Sequence, residues 1–183
     1  MRTVALVVAM ALLATPALAM NGAYVDPAVG IGYSPLGRPL YVEIETPLPF
    51  TPFGNDLGLH LGVHLFGEPR FGFNAIASPK LLLIPSLFSA VPLSLTVAAD
   101  LEIGSRDGIL VGGFHIGAIL GVSFGDFGIE GLTASAGLMP GVYAGGFDVA
   151  VIWSVRYRLE PVSFELGGNK RSPLILGIRV NLD

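Results

Sequence analysis

From about residue 28 onward the chain alternates apolar residues with polar or very small ones at a period of two. The clearest run is 57–66: Leu57, Leu59, Leu61, Val63 and Leu65 fall on one side, Gly58, His60, Gly62 and His64 on the other. Successive strand side chains point to opposite faces, so this pattern predicts a strand with one oily side and one polar side. The same reading gives strands at 93–104, 109–124, 142–159 and 174–182. Shorter runs predict strands at 28–34, 40–46, 70–77, 132–138 and 162–166, for ten in all. In 142–159 the alternation, carried straight through, groups Tyr143 with Phe147, Val149, Val151 and Trp153 on the apolar side.

Turn-forming clusters separate most of these runs: Pro35-Leu36-Gly37, Gly67-Glu68-Pro69, Arg106-Asp107-Gly108, Gly125-Asp126, Pro140-Gly141, Glu160-Pro161 and Gly167-Gly168-Asn169. The run 109–124 is long enough for a helix, but its four glycines and its period favour a strand. Leu81 to Ala99 lacks charge yet holds Pro85 and Pro92, and its second half alternates, so it reads as loop plus strand. The longest connections fall at 47–56 and 78–92, on the side opposite the first hairpin turn. Either the strand count is off by one, or the apolar segment 79–92 is an interfacial piece or a short plug.

Alternation alone also fits a soluble sandwich. Three features favour a closed barrel in lipid. The polar faces are rich in Gly, Ala and Ser, which suit a crowded lumen. The apolar faces are long and uncharged, as a lipid-facing band requires. Aromatics sit near strand ends (Tyr33, Tyr41, Phe66, Phe71, Phe124, Phe127 and Tyr157), like an interfacial girdle. Backbone groups in hydrocarbon must all be paired, which only helices and closed barrels achieve.

The N-terminus sets the compartment. Arg2, the apolar run Val4 to Leu13, Pro16 and Ala17-Leu18-Ala19 predict a cleaved secretory signal peptide over 1–19, followed by one barrel domain over 20–183. The 183 residues are 52% hydrophobic and 13% charged, against about 25% charged in an average soluble domain. Ten basic residues against fourteen acidic ones leave no surplus to neutralise phosphates, so nucleic acid is not an expected partner. No cysteine is present, which excludes disulfides, thiolate metal sites and a lipoprotein anchor.

The signal peptide and the alternating hairpins together resemble small bacterial outer-membrane β-barrels of the OmpA and OmpX types. The resemblance covers 20–183 as a pattern. It implies an all-β, closed, antiparallel up-and-down transmembrane barrel of eight to ten strands, located in the bacterial outer membrane. Outer-membrane lipid and the barrel-insertion machinery are its implied partners. Many such chains end on an aromatic residue, whereas this one ends Ile178-Arg179-Val180-Asn181-Leu182-Asp183.

Candidate chemistry lies on the polar faces. Glu43, Glu45, His60, His64, Arg70, Asp100, Glu102, His115, Asp148, Arg156 and Arg179 are the expected lumen charge network. Mixed signs in a narrow space predict salt-bridged filling, with an ion-selective constriction as the alternative. A His–carboxylate metal site is conceivable, but His60 and His64 would lie about 13 Å apart along a strand, too far to share an ion. No G-x-S-x-G elbow occurs, and no nucleophile lies beside a histidine. The expectation is therefore a non-enzymatic barrel without cofactor, in a structural or narrow-pore role. The alternatives are a secreted lipocalin-like barrel binding an apolar ligand and a lipid-modifying barrel enzyme.

Overall fold

A computed structural model describes residues 22–35, 39–66, 72–88, 91–106, 108–169 and 172–182. The predicted signal peptide and Arg70 lie outside these residues. Ten strands follow one another: β1 (Ala28–Tyr33), β2 (Pro39–Pro47), β3 (Leu57–Phe66), β4 (Gly72–Ile84), β5 (Leu93–Arg106), β6 (Ile109–Ser123), β7 (Leu132–Tyr143), β8 (Gly146–Leu159), β9 (Val162–Asn169) and β10 (Ser172–Asn181). Each pairs antiparallel with its sequence neighbours, and β1 pairs with β10 to close the barrel. Closure places Gly30 opposite Arg179 on one side and opposite Glu43 on the other. The sheet thus closes without a free edge, each strand pairing with a neighbour on both sides.

The oily faces point outward. Leu101 is 55% exposed and Leu138 60%, and Leu61, Val151, Ile178 and Val180 lie on the same outer belt. The inner faces hold the buried polar groups, among them His60, Lys80, Thr96, Glu165 and Arg179. One wall of the lumen is apolar: Ala98, Ile119, Met139 and Ile152 pack together around Ala23.

Two prolines sit within strands where turns or loops were expected. Strand β7 runs through Pro140 to Tyr143, so Pro140-Gly141 is not a turn. Its pairing with β6 passes from Ala118↔Leu138 to His115↔Gly141, leaving Pro140 out of that ladder, while Pro140 still faces Val149 of β8. Likewise β4 continues through Pro79 to Ile84, and its pairing with β5 passes from Ala77↔Leu101 to Lys80↔Ala98. A residue without an N–H is tolerated where a ladder is interrupted. The expected connection 78–92 therefore shrinks to 85–92. That segment is not a plug: Phe88 is 59% exposed, and Leu87 donates its N–H to the Leu93 carbonyl at 2.6 Å.

The expected strand 142–159 is in fact the end of β7 and the whole of β8, divided at Ala144-Gly145. Both turn residues have positive φ (51° and 80°), as a tight two-residue hairpin requires. Such a turn pairs Tyr143 with Gly146, so residues on the two sides of it share a face at opposite parity. Tyr143 consequently points inward, against the expectation: a Cβ at Gly113 would meet its ring at 2.6 Å.

The strand ends Ala28 and Asn181 face each other. They share their end of the barrel with the connections 48–56, 85–92, 124–131 and 160–161. The tight turn at 144–145 lies at the other end.

Candidate functional site

Among the described residues the lumen gathers most of the charged side chains, because they fall on the inward parity of their strands. Arg179 of β10 stands at the centre. Its guanidinium reaches Glu43 Oε1 at 3.3 Å, Glu45 Oε2 at 2.9 Å and Glu165 Oε2 at 3.4 Å. Lys80 Nζ pairs with Glu45 Oε1 at 2.5 Å, and Arg156 Nε with Glu165 Oε2 at 3.2 Å. The Tyr41 hydroxyl is hydrogen-bonded to His60 Nε2, and that nitrogen lies 3.6 Å from Glu43 Oε2. The His64 ring stands edge-on to Tyr41, with centroids 5.0 Å apart. Buried charges are tolerable only when paired, and here each of the three cations touches at least one carboxylate.

A second group lies nearer the tight-turn end. Asn74 Nδ2 donates to Glu102 Oε1 at 2.5 Å. His115 Nε2 lies 3.2 Å from Asp148 Oδ2, and its Nδ1 4.0 Å from Glu102 Oε2. Asp100 is buried and faces His115 across the β5–β6 ladder.

The structure thus places ten of the eleven expected lumen residues on inner faces and divides them between two clusters, while Arg70 falls outside the described residues. Arg158, on the same face as Arg156, sits at the rim and pairs with Glu160 at 2.5 Å. Tyr41 is corrected: it is 1% exposed and belongs to the lumen, not to an interfacial girdle. Its parity with Glu43 already indicated this. Tyr33 and Tyr157 do lie on the outer surface.

Three participants were missed. Glu165 lies on the polar side of the short run 162–166, which is one of the ten predicted strands, but it was not carried into the expected charge network. Lys80 continues the inward series of Asn74 and Ser78, but Pro79 and the apolar run after it disguised the strand. The third is Asp26, which belongs to a segment with no period at all.

That segment, Gly22 to Pro27, crosses the lumen at the end where the chain enters β1. Wall donors hold its backbone carbonyls: Lys80 Nζ bonds Gly22 at 2.9 Å and Tyr24 at 2.6 Å, Thr96 Oγ1 bonds Ala23 at 2.5 Å, and Arg179 Nη2 bonds Asp26 at 3.2 Å. The Asp26 N–H donates to Glu45 Oε1 at 3.1 Å, and the Asp26 carboxylate pairs with Arg156. Inward glycines make room for these groups. A Cβ at Gly121 would meet Ala23 at 2.5 Å, one at Gly58 would meet Val25 at 2.5 Å, and one at Gly62 would run into the Tyr41 hydroxyl.

Chemically the lumen is an ionic interior with a surplus of acids: Lys80, Arg156 and Arg179 are each paired, among the carboxylates of Asp26, Glu43, Glu45, Asp100, Glu102, Asp148 and Glu165. Among the described residues no group of three or more His, Asp or Glu side chains is arranged to hold a metal ion. The two histidines of β3 contact Tyr41 from different sides. No protein family, curated protein or solved structure is matched by this chain.

Proposed function

We propose that this chain is a non-enzymatic outer-membrane β-barrel whose lumen is filled, with a structural role and at most a very narrow permeation path. The observation that carries the reading is its polarity. A closed barrel exposes Leu101, Leu138, Val151, Ile178 and Val180 outward and buries Glu45, Lys80, Glu165 and Arg179 inward. Water favours the opposite arrangement, because apolar surface left exposed costs roughly 25 cal/mol per Å². Hydrocarbon favours this one, since it solvates the outer belt and leaves every ladder hydrogen bond intact.

The rival soluble barrel would need an apolar cavity for its ligand. The interior instead holds paired charges, and its apolar wall is covered by Ala23 and Tyr24. Ten strands enclose more space than the eight whose side chains alone can fill a barrel. Here the residual space is taken by Gly22–Pro27 and the salt-bridge network. The test is fractionation of cells expressing the full chain. The protein should remain with outer membranes after a carbonate wash and require detergent for release. Recovery in the soluble fraction would refute the reading.

A further inference from the structure

The geometry points to a peptide-binding site inside the barrel, occupied by the chain's own segment Gly22–Pro27, which closes a water path that opens when the segment leaves. This rests on the membrane-barrel reading above. The site is built from several strands. Lys80 of β4, Thr96 of β5 and Arg179 of β10 donate to backbone carbonyls of the segment, Glu45 of β2 accepts from its Asp26 N–H, and Arg156 of β8 takes its one carboxylate. Such recognition reads backbone carbonyls plus one acid, with a small side chain required only where the wall is close. Ala23 sits there, fully buried against Ala98, Ile119, Met139 and Ile152.

Each wall cation also has a carboxylate partner within the wall itself. Lys80 keeps Glu45 at 2.5 Å, Arg156 keeps Glu165 at 3.2 Å and Arg179 keeps Glu43 at 3.3 Å. Withdrawal therefore strands no wall charge, whereas a segment integral to the barrel would leave cations unpaired. The ligand class is a short peptide that offers its backbone carbonyls, a small residue at the position of Ala23 and a single acid. The vacated space would admit water and small ions, since a polar lumen wide enough to hold a strand of peptide is wide enough to hydrate.

The experiment uses the full chain in planar bilayers. Ala23→Arg cannot be seated against the apolar wall and alters no wall residue. The parent should be silent, Ala23→Arg should give stable currents, and an added synthetic peptide spanning residues 20–27 should suppress them. Folding of the variant is checked by its heat-modifiable migration on gels. Because the chain lacks cysteine, Ala23→Cys provides a milder second measurement: its thiol should resist a charged, membrane-impermeant reagent, and adding Asp26→Ala should abolish that protection. A folded Ala23→Arg variant as silent as the parent overturns the proposal, as does a parent that itself conducts freely or an Ala23→Cys thiol that reacts at once. Those failures leave the membrane reading intact. A parent that does not partition into membranes overturns that reading, and this one with it.

Discussion

Arg179→Met removes the cation at the centre of the lumen while retaining most of the volume of the side chain. Its consequence can be worked residue by residue. Three carboxylates lose a partner, but not equally. Glu45 keeps Lys80 at 2.5 Å, and Glu165 keeps Arg156 at 3.2 Å. Among the described residues Glu43 keeps His60 at 3.6 Å but no Arg or Lys ion pair. The stranded charge is therefore Glu43, and breaking a buried pair on one side costs about 3–5 kcal/mol. The double variant Arg179→Met with Glu43→Gln should recover roughly half of that loss, because an amide costs far less to bury than an unpaired carboxylate. Adding Glu165→Gln instead should recover little, and it should also leave Arg156 leaning on Asp26 alone. Urea unfolding in lipid vesicles, followed by the fluorescence of Trp153, the single tryptophan, reads all three variants. If Arg179→Met lay within about 0.5 kcal/mol of the parent, the size expected for a surface substitution, the picture of a dry, paired lumen would be wrong.

Further outcomes follow from the same structure. Arg at Leu61 or Val151 should destabilise the barrel in lipid by about 2–4 kcal/mol if these outer positions lie near the bilayer midplane, as measured by folding into liposomes; negligible costs at both would count against a lipid-facing belt. Gly117→Ala should cost about 1–3 kcal/mol, since its methyl would press on backbone that cannot swing away; the Leu138 carbonyl and the Met139 Cα lie against that position. Ala144→Gly should stabilise the β7–β8 hairpin by roughly 0.5–1 kcal/mol in the same unfolding assay, because a residue at φ 51° carries a Cβ penalty that glycine lacks. Neutralising Asp100 and Glu102 together should reduce the weak cation preference of any leak through the lumen, read as a shift in reversal potential.

The barrel itself was legible because lipid-facing and lumen-facing side chains alternate. A period of two over ten runs states both the strand count and the face each residue takes. Glu43, Glu45, His60, His64 and Arg179 were assigned to one interior from parity alone. Parity failed where a local event reset or hid it. The two-residue turn at Ala144-Gly145 reverses the chain and turned Tyr143 inward, and Pro79 and Pro140 looked like strand ends. Whether a proline ends a strand depends on whether the neighbouring ladder needs its N–H, and that is a property of the partner strand. The expected plug was placed in 79–92 because that stretch is apolar, yet the lumen is polar and its filling came from a polar, aperiodic segment.

What the sequence determined by itself was the set of strands, their antiparallel order and the sorting of side chains into two surfaces, since all of these follow from local alternation and turn chemistry. What only the tertiary structure decided was which inner residues meet. Arg179, Glu43, Glu45, Glu165, Lys80 and Asp26 come from four corners of the chain, and their contacts depend on the register and the closure of β1 on β10. The path of Gly22–Pro27 was likewise invisible. A segment held through its backbone carbonyls leaves no periodic mark of its own, and its only trace is the glycines that make room for it at Gly58 and Gly121 on the walls it touches.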